Sequence, residues 1–247
     1  MTDDRSLDAA ASGAGAWPPF TFAFQPIVDA SAGTAYSYEA LIRGTQRESA
    51  FSVLGRVPRE DLHRFDAAGR LVAIELAARL GLKHKLNLNC LPLSLLVRPP
   101  SETIEAARRA GLAPSQLILE VTEEEIISDH GRFDEVIAGY RAAGISTAVD
   151  DFGAGYAGLN LLADFQPDIL KIDLKLVRDV HHHGPRQAIV RGIVQVCADL
   201  GVDVVAEGVE TVEEYRWLRR AGVTLLQGYL FAKPAFETLA PIEFTTW

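Results

Sequence analysis

Gln116-Leu117-Ile118-Leu119-Glu120-Val121-Thr122 and Ser146-Thr147-Ala148-Val149-Asp150-Asp151 are two short runs of one design. Each is aliphatic or β-branched along most of its length, as strands of a parallel sheet covered on both faces are, and each delivers carboxylates near its C-terminal end. The pattern continues in both directions. Thr21–Val28, Ser37–Ile42 and His84–Asn89 precede these runs, and Ile169–Asp173, Val202–Ala206 and Leu225–Leu230 follow them, which makes eight strand candidates. Arg59–Leu80, Ser101–Ala110, Gly131–Ala143, Pro185–Leu200 and Val212–Ala221 carry helical apolar spacing between strands, and glycines 81, 111, 144, 201 and 222 follow them as left-handed C-caps do. Strand–helix units of roughly 30 to 50 residues predict an α/β chain folded as a TIM-type (β/α)8 barrel. Only Asp29–Tyr36 joins the first two strands, so a hairpin, and an irregular, partly antiparallel start to the barrel, is expected.

The 247 residues are 48% apolar, enough to bury one large core. Met1–Ala16 is small, polar and acidic, with Arg5 its only base and no apolar stretch of a secretory signal. Residues 1–18 are expected to form a disordered tail or linker and 19–247 the folded domain. Lys and Arg number 24 against 33 Asp and Glu, and the net charge of −9 argues against a nucleic-acid polymer as partner. No apolar run approaches the roughly 18 residues of a membrane span, so a cytoplasmic protein with no membrane association within this chain is expected. Cys90 and Cys197 each stand alone, which predicts buried thiols in a reducing compartment and neither a disulfide framework nor zinc.

Polar residues recur at or near the strand ends: Glu39, Asn87, Glu120, Glu123, Asp150, Asp151, Lys171, Glu207 and Gln227. In a parallel barrel those ends share one face, where active sites are built. Several carboxylates brought together would repel one another unless cations sat among them. Carboxylates and an amide, without His or Cys, select Mg2+ or Mn2+; Ca2+ suits the same oxygens, and zinc suits them less. Five or more carboxylates exceed what one octahedral ion uses, and adjacent Asp150 and Asp151 would let one residue bridge two ions. Paired ions about 3.5–4 Å apart are the recurring device for in-line displacement at phosphorus, so phosphoester hydrolysis is the reaction class.

Glu39-Ala40-Leu41-Ile42-Arg43 resembles the signature of the EAL family of cyclic di-GMP phosphodiesterases. Asn87-Leu88-Asn89, Glu120-Val121-Thr122-Glu123, Asp150-Asp151-Phe152-Gly153-Ala154-Gly155-Tyr156, Lys171-Ile172-Asp173, Glu207-Gly208-Val209-Glu210 and Gln227-Gly228-Tyr229 follow in the family's order. The resemblance runs from Gln25 to Pro234. It implies that Glu39, Asn87, Glu120 and Asp150 ligate one metal and that Asp150, Asp151 and Glu207 hold the second, as Mg2+ or Mn2+, with Ca2+ inhibitory. It further implies that Lys171 orients the attacking water, Glu207 accepts its proton and Gln227 helps to place it. Gln25 and Arg43 would contact the substrate, while Glu123 and Glu210 would orient the ligands and the loop after Asp150. The implied reaction opens cyclic di-GMP to linear pGpG. A homodimer, and a sensory or diguanylate cyclase domain in a longer chain, are implied partners. Gly44, where many relatives carry tryptophan, and Ala157-Gly158-Leu159-Asn160, where serines are common, depart from the family without replacing a ligand.

Taken singly, Glu123, Glu210 and Asp173 read as solvated termini or helix caps. Lys171 alone would read as a snorkelling surface lysine, were it not set in an apolar strand. His181, His182 and His183 read as an exposed loop before Gly184-Pro185, because three consecutive side chains cannot face one ion. Tyr215, Trp217 and Leu218 read as helix packing. Two other functions compete: a catalytically silent receptor for cyclic di-GMP, and an enolase-like carbon-acid enzyme with acidic ligands and a lysine base.

Overall fold

The β1–β2 hairpin that opens the fold is set by its turn. Asp29 Oδ1 accepts hydrogen bonds from the backbone N–H groups of Ser31 and Ala32 at 2.8 and 3.2 Å, and Gly33 completes the reversal at φ 68°. The computed structural model describes residues 17–122, 130–154, 162 and 165–245. After β1 (Phe20–Asp29) and β2 (Thr34–Gly44) come α1 (Ala50–Leu54), α2 (Leu62–Arg79), β3 (Lys85–Cys90), α3 (Pro92–Val97), α4 (Pro100–Arg109) and β4 (Leu117–Thr122). The order continues with α5 (His130–Ala142), β5 (Ser146–Phe152), β6 (Ile169–Ile172), α6 (Leu174–Val177), α7 (Gly184–Leu200), β7 (Asp203–Ala206), α8 (Val212–Arg220), β8 (Leu225–Leu226) and β9 (Ala235–Phe236). Strands β2 to β8 pair in parallel in chain order, and β1 lies antiparallel between β8 and β2, closing the barrel. All eight expected strands are present, and β9 adds a short antiparallel pairing to β1.

Strand periodicity separates stability from chemistry inside this barrel. Ile27, Ile118, Ala148, Ile169, Val205 and Leu225 form a buried apolar layer contributed by β1 and β4 to β8. Two residues further along the same faces stand Glu120, Asp150, Lys171, Glu207 and Gln227; on the reversed β1 the equivalent step runs backwards, to Gln25. The opposite faces supply Phe24, Leu86, Leu88, Leu119, Val149 and Leu170 to the larger core beneath the helices, where Ala73, Ile74, Tyr140, Cys197 and Leu218 pack. Among the described residues, no helix is long and apolar enough to cross a membrane.

Several expected boundaries shift for local reasons. Residues 59–61 form a 3-10 turn, and the α-helix begins only at Leu62. Asp173 leaves β6 to cap α6, its Oδ1 accepting from Lys175 N at 2.8 Å. The last strand ends at Leu226, not Leu230, because the chain turns in against the loop after β7. Val209 N donates to Gln227 O at 3.0 Å, and a Cβ on Gly228 would stand 2.0 Å from Val209 O. The five expected C-cap glycines all have positive φ. Cys90 and Cys197 are buried free thiols, and Tyr215, Trp217 and Leu218 are buried. His181 and His182 fall in a 3-10 turn, Val180–His182, where the loop was expected. The proposed tail, apart from Trp17 and Pro18, lies outside the described residues, as do Glu123 and the segment from Gly155 to Asn160.

Candidate active site

The polar layer converges on Lys171. Its side chain is completely buried, and its Nζ lies 2.7 Å from Glu207 Oε1, 3.0 Å from Asp150 Oδ1, 3.1 Å from Glu120 and 3.4 Å from Glu39. Adjacent strands place these groups in register: Glu39 opposes Gln25 on one side and Asn87 on the other, and Asn89 opposes Glu120. Asp150 and Asp151 are sequential, and a regular strand would point them to opposite faces. The β5–β6 register breaks between Val149 and Phe152, and Asp151 adopts a left-handed backbone at φ 54°. That irregularity brings carboxylate oxygens of Asp150, Asp151 and Glu207 within 4.8 Å of one another. A second set, Glu39, Glu120 and Asp150, meets the same 4.8 Å limit, so Asp150 belongs to both.

Amides brace the carboxylates. Asn87 Nδ2 donates to Glu120 Oε1 at 2.7 Å, Asn89 Nδ2 to Glu39 Oε1 at 2.8 Å, and Gln227 Nε2 to Glu39 Oε2 at 2.8 Å. Gln227 Nε2 also lies 3.4 Å from Gln25 Oε1, while Gln25 Nε2 donates to Ala232 O at 3.0 Å. Asn87 Oδ1 is buried with no hydrogen-bond partner among the described residues. A buried carbonyl oxygen left unpaired costs free energy unless a ligand takes it up. Two oxygen-only carboxylate sets sharing Asp150, with this spare amide oxygen beside them, fit a pair of hard divalent cations.

The electrostatics point the same way. Burial, with Asp150 and Glu39 nearby, pushes the Glu207 carboxyl up to about 8 against the pull of Lys171. Burial and the charges of Asp150 and Asp173 raise Asp151 to about 6. Burial also lifts Glu120 well above the usual carboxylate range, with Glu39 and Asp150 adding to it. Glu39 is buried too, yet Lys171 and the donors on Gln227 and Asn89 outweigh burial and hold it below its ordinary value. The Lys171 ammonium overcomes its own desolvation through the four carboxylates around it and is held protonated. One ammonium thus shares the site with five carboxylates, four of them around it and Asp151 beside Asp150, an imbalance that added cations relieve.

Of the residues named from sequence, Gln25, Glu39, Asn87, Glu120, Asp150, Asp151, Lys171, Glu207 and Gln227 come together here. Arg43 does not join the cluster; its Nη1 donates to Ile42 O at 2.7 Å. Glu210 is exposed and paired to Arg178 by two bonds, the longer 2.7 Å. Asn89 was passed over from sequence, although the Asn87-Leu88-Asn89 alternation puts both amides on one face. A cavity of about 480 Å³ beside Asn89 and Glu120 was also missed; Leu41, Leu54, Phe65, Asp66 and Leu91 are among the residues lining it. Its walls come from β2, α1, α2 and the β3–α3 turn, elements too far apart in sequence for any local pattern to reveal the space between them.

Comparison with known proteins bears on this geometry. The chain is 40% identical over 226 residues, 90% of its length, to the blue light- and temperature-regulated antirepressor BluF of Escherichia coli (strain K12), of which it spans 56%. A manganese/cy-diGMP complex of Klebsiella pneumoniae BlrP1 superposes with a TM-score of 0.85 at 45% identity, covering 89% of this chain and 57% of that one. A standalone versatile EAL protein from Vibrio cholerae O395, in its c-di-GMP bound form, superposes at 0.88 with 43% identity over 93% of this chain and 98% of that one. Other matching relatives are described as cyclic di-GMP phosphodiesterases. The EAL domain model itself matches residues 18–234, all of the barrel strands up to β8 among them: the chain belongs to the EAL domain family.

Proposed function

We propose that the barrel is a divalent-metal-dependent phosphodiesterase that hydrolyses cyclic di-GMP to linear pGpG. The observation that carries this reading is the pair of carboxylate sets sharing Asp150, with the unpaired Asn87 Oδ1 beside one of them. Glu39, Asn87, Glu120 and Asp150 would hold one Mg2+ or Mn2+, and Asp150, Asp151 and Glu207 the other. Bound ions would supply Lewis-acid polarisation of the phosphoryl group and activation of water. Lys171, fixed by four carboxylates, presents a positive charge that needs no rearrangement to offset the negative charge developing at phosphorus. Glu207, held beside Lys171 at the edge of the cluster, would accept the proton of the attacking water. The water oxygen bonds to phosphorus as one P–O3′ bond breaks, and the departing 3′-oxygen takes a proton from solvent, leaving a 5′-phosphate and a free 3′-hydroxyl. The apolar cavity beside Glu120 has room for one guanine, and Arg43, on the C-terminal end of β2, is free of the carboxylate cluster to reach a substrate phosphate or base.

A second reading, a receptor that binds cyclic di-GMP without turning it over, is supported by the likeness to an EAL protein in its c-di-GMP bound form together with the likeness to BluF, an antirepressor. Incubation with cyclic di-GMP and Mg2+ or Mn2+, following pGpG by chromatography beside a Glu39→Ala control, separates the two. Metal-dependent pGpG that the control lacks is the expected result. Tight binding by calorimetry without product would assign the receptor role, and neither binding nor turnover would overturn both readings. We extend the proposal to a homodimer, which light scattering on the purified chain tests, a monomer sinking it; the greater length of BluF and BlrP1 is in keeping with a sensory or cyclase domain as a further partner.

A further inference from the structure

Glu214 is completely buried on the first turn of α8, an unusual place for a carboxylate away from the ammonium cluster. Its Oε2 accepts from the backbone N–H groups of Glu210 and Thr211 at 2.9 and 3.1 Å. Its Oε1 accepts from the N–H of Asp179 at 2.9 Å. The Thr211 bond, with Thr211 Oγ1 accepting from Glu214 N at 3.2 Å, makes a capping box, and the Glu210 bond extends it by one residue. The Asp179 bond has no part in capping α8. It crosses to the segment that follows β6, where Asp179 is held in a left-handed conformation at φ 54°.

That crossing joins the two loops that bear on the active site. The loop after β7 begins with Glu207, and the segment after β6 follows Lys171 within the same barrel rim. Between them, Glu207 N donates to Ile172 O at 3.1 Å. Gly208 lies so close to Leu174 that a Cβ there would stand 2.6 Å from the leucine Cβ. Arg178 and Glu210 form a parallel ion pair at the surface. Three contacts from one buried carboxylate therefore bear on where the backbone of Glu207 sits relative to β6. We infer that Glu214 is a positioning residue: it locks the Glu207 loop to the β6 loop and so sets the Glu207 carboxylate against Asp150 and Asp151.

The inference rests on the two-ion reading proposed above, and Mn2+ titration of the whole chain tests both, with free Mn2+ followed by electron paramagnetic resonance. Glu214→Gln is the selective change. An amide has one acceptor oxygen; if it keeps the Glu210 and Thr211 bonds, its NH2 faces the Asp179 N–H, so capping survives and the cross-loop bond is lost. Wild type is expected to bind two ions. E214Q should bind one with wild-type affinity and the other roughly 10- to 100-fold more weakly, the range in which residues behind metal ligands act. A residue that merely supported the fold would lower the melting temperature and leave both affinities in place, and that outcome overturns the inference while sparing the two-ion reading. Wild type binding no ion would overturn both. Should E214Q fail to fold, Glu214→Asp keeps the charge on a side chain one methylene shorter, which cannot reach both Thr211 N–H and Asp179 N–H; weakening of one ion supports the clamp, and two unchanged affinities sink it.

Discussion

Replacing Lys171 with methionine removes the one ammonium from among Glu39, Glu120, Asp150 and Glu207 while keeping the volume of its stem. Its Nζ is 2.7 to 3.4 Å from all four carboxylates and out of contact with solvent. Removing one partner of a buried charge pair costs about 3–5 kcal/mol, because the remaining charge is left uncompensated. At about 2–4 °C per kcal/mol for a chain of this size, the melting temperature should fall by on the order of 10 °C in EDTA at pH 8. The deficit should shrink as the pH is lowered, since protonating Glu207 and Glu120 removes the repulsion that the ammonium had been neutralising. Mn2+ should restore part of it at pH 8 by taking over the same role. The assay is thermal unfolding followed by circular dichroism at pH 5.5 and 8, with EDTA or with Mn2+. A K171M melt that coincides with wild type in EDTA at pH 8 would refute the account of Lys171 as the counter-ion of this layer.

The wild-type protein in EDTA should lose stability as pH rises from about 5 to 8. Glu207 moves from an ordinary 4.5 to about 8 and Asp151 from 3.8 to about 6, so the folded state holds protons that the unfolded chain has released, and that advantage disappears as pH passes through the folded values. Urea denaturation at three pH values reads the slope, and a flat or rising profile would contradict the raised values. Gly228→Ala should destabilise by at least about 1–3 kcal/mol, because its Cβ would fall 2.0 Å from Val209 O, and should also loosen the Gln227 brace on Glu39. Gly192→Ala is its control: at an exposed position of α7, with nothing within 4 Å of the added carbon, it should stabilise by up to about 1 kcal/mol. Urea midpoints compare the two variants, and equal shifts would discredit the close-approach argument.

Much of the barrel was legible because its signals are local and periodic. The runs around Ile118 and Ala148 are too short and too apolar for surface helices, and Asp29 through Tyr36 has room for a turn and nothing longer. The polar cluster was legible because carboxylates, amides and a lysine recur at or near the ends of apolar strands, which share one face of a parallel barrel; the roles of single residues within it came from the family resemblance. What escaped depends on contacts between distant segments. α1 and α3 span five and six residues, below the length at which helical periodicity can be read, and Pro92 at the start of α3 looks like a strand terminator as readily as a helix opener. β8 shortens because Gly228 meets Val209, a contact no local window contains. Glu214 did carry a local sign, since Thr211-Val212-Glu213-Glu214 has capping-box spacing, but nothing in that spacing reveals Asp179 as a third partner. Arg43 was assigned by motif alone, and its guanidinium bonds the carbonyl of Ile42 outside the carboxylate cluster.

The reversed first strand also decides where an upstream segment meets the barrel. A barrel whose strands all run in parallel receives its chain at the face opposite its active site. Here Phe20, at the start of β1, pairs with Gly44 at the end of β2, which places the entry point on the rim that carries the chemistry. Trp17 settles edge-on against Phe65, 5.4 Å between ring centroids, and Phe65 lines the cavity beside Glu120. A tug or twist arriving through the polypeptide ahead of Trp17 would therefore be delivered a few side chains from the carboxylates, with no need to travel the length of the barrel.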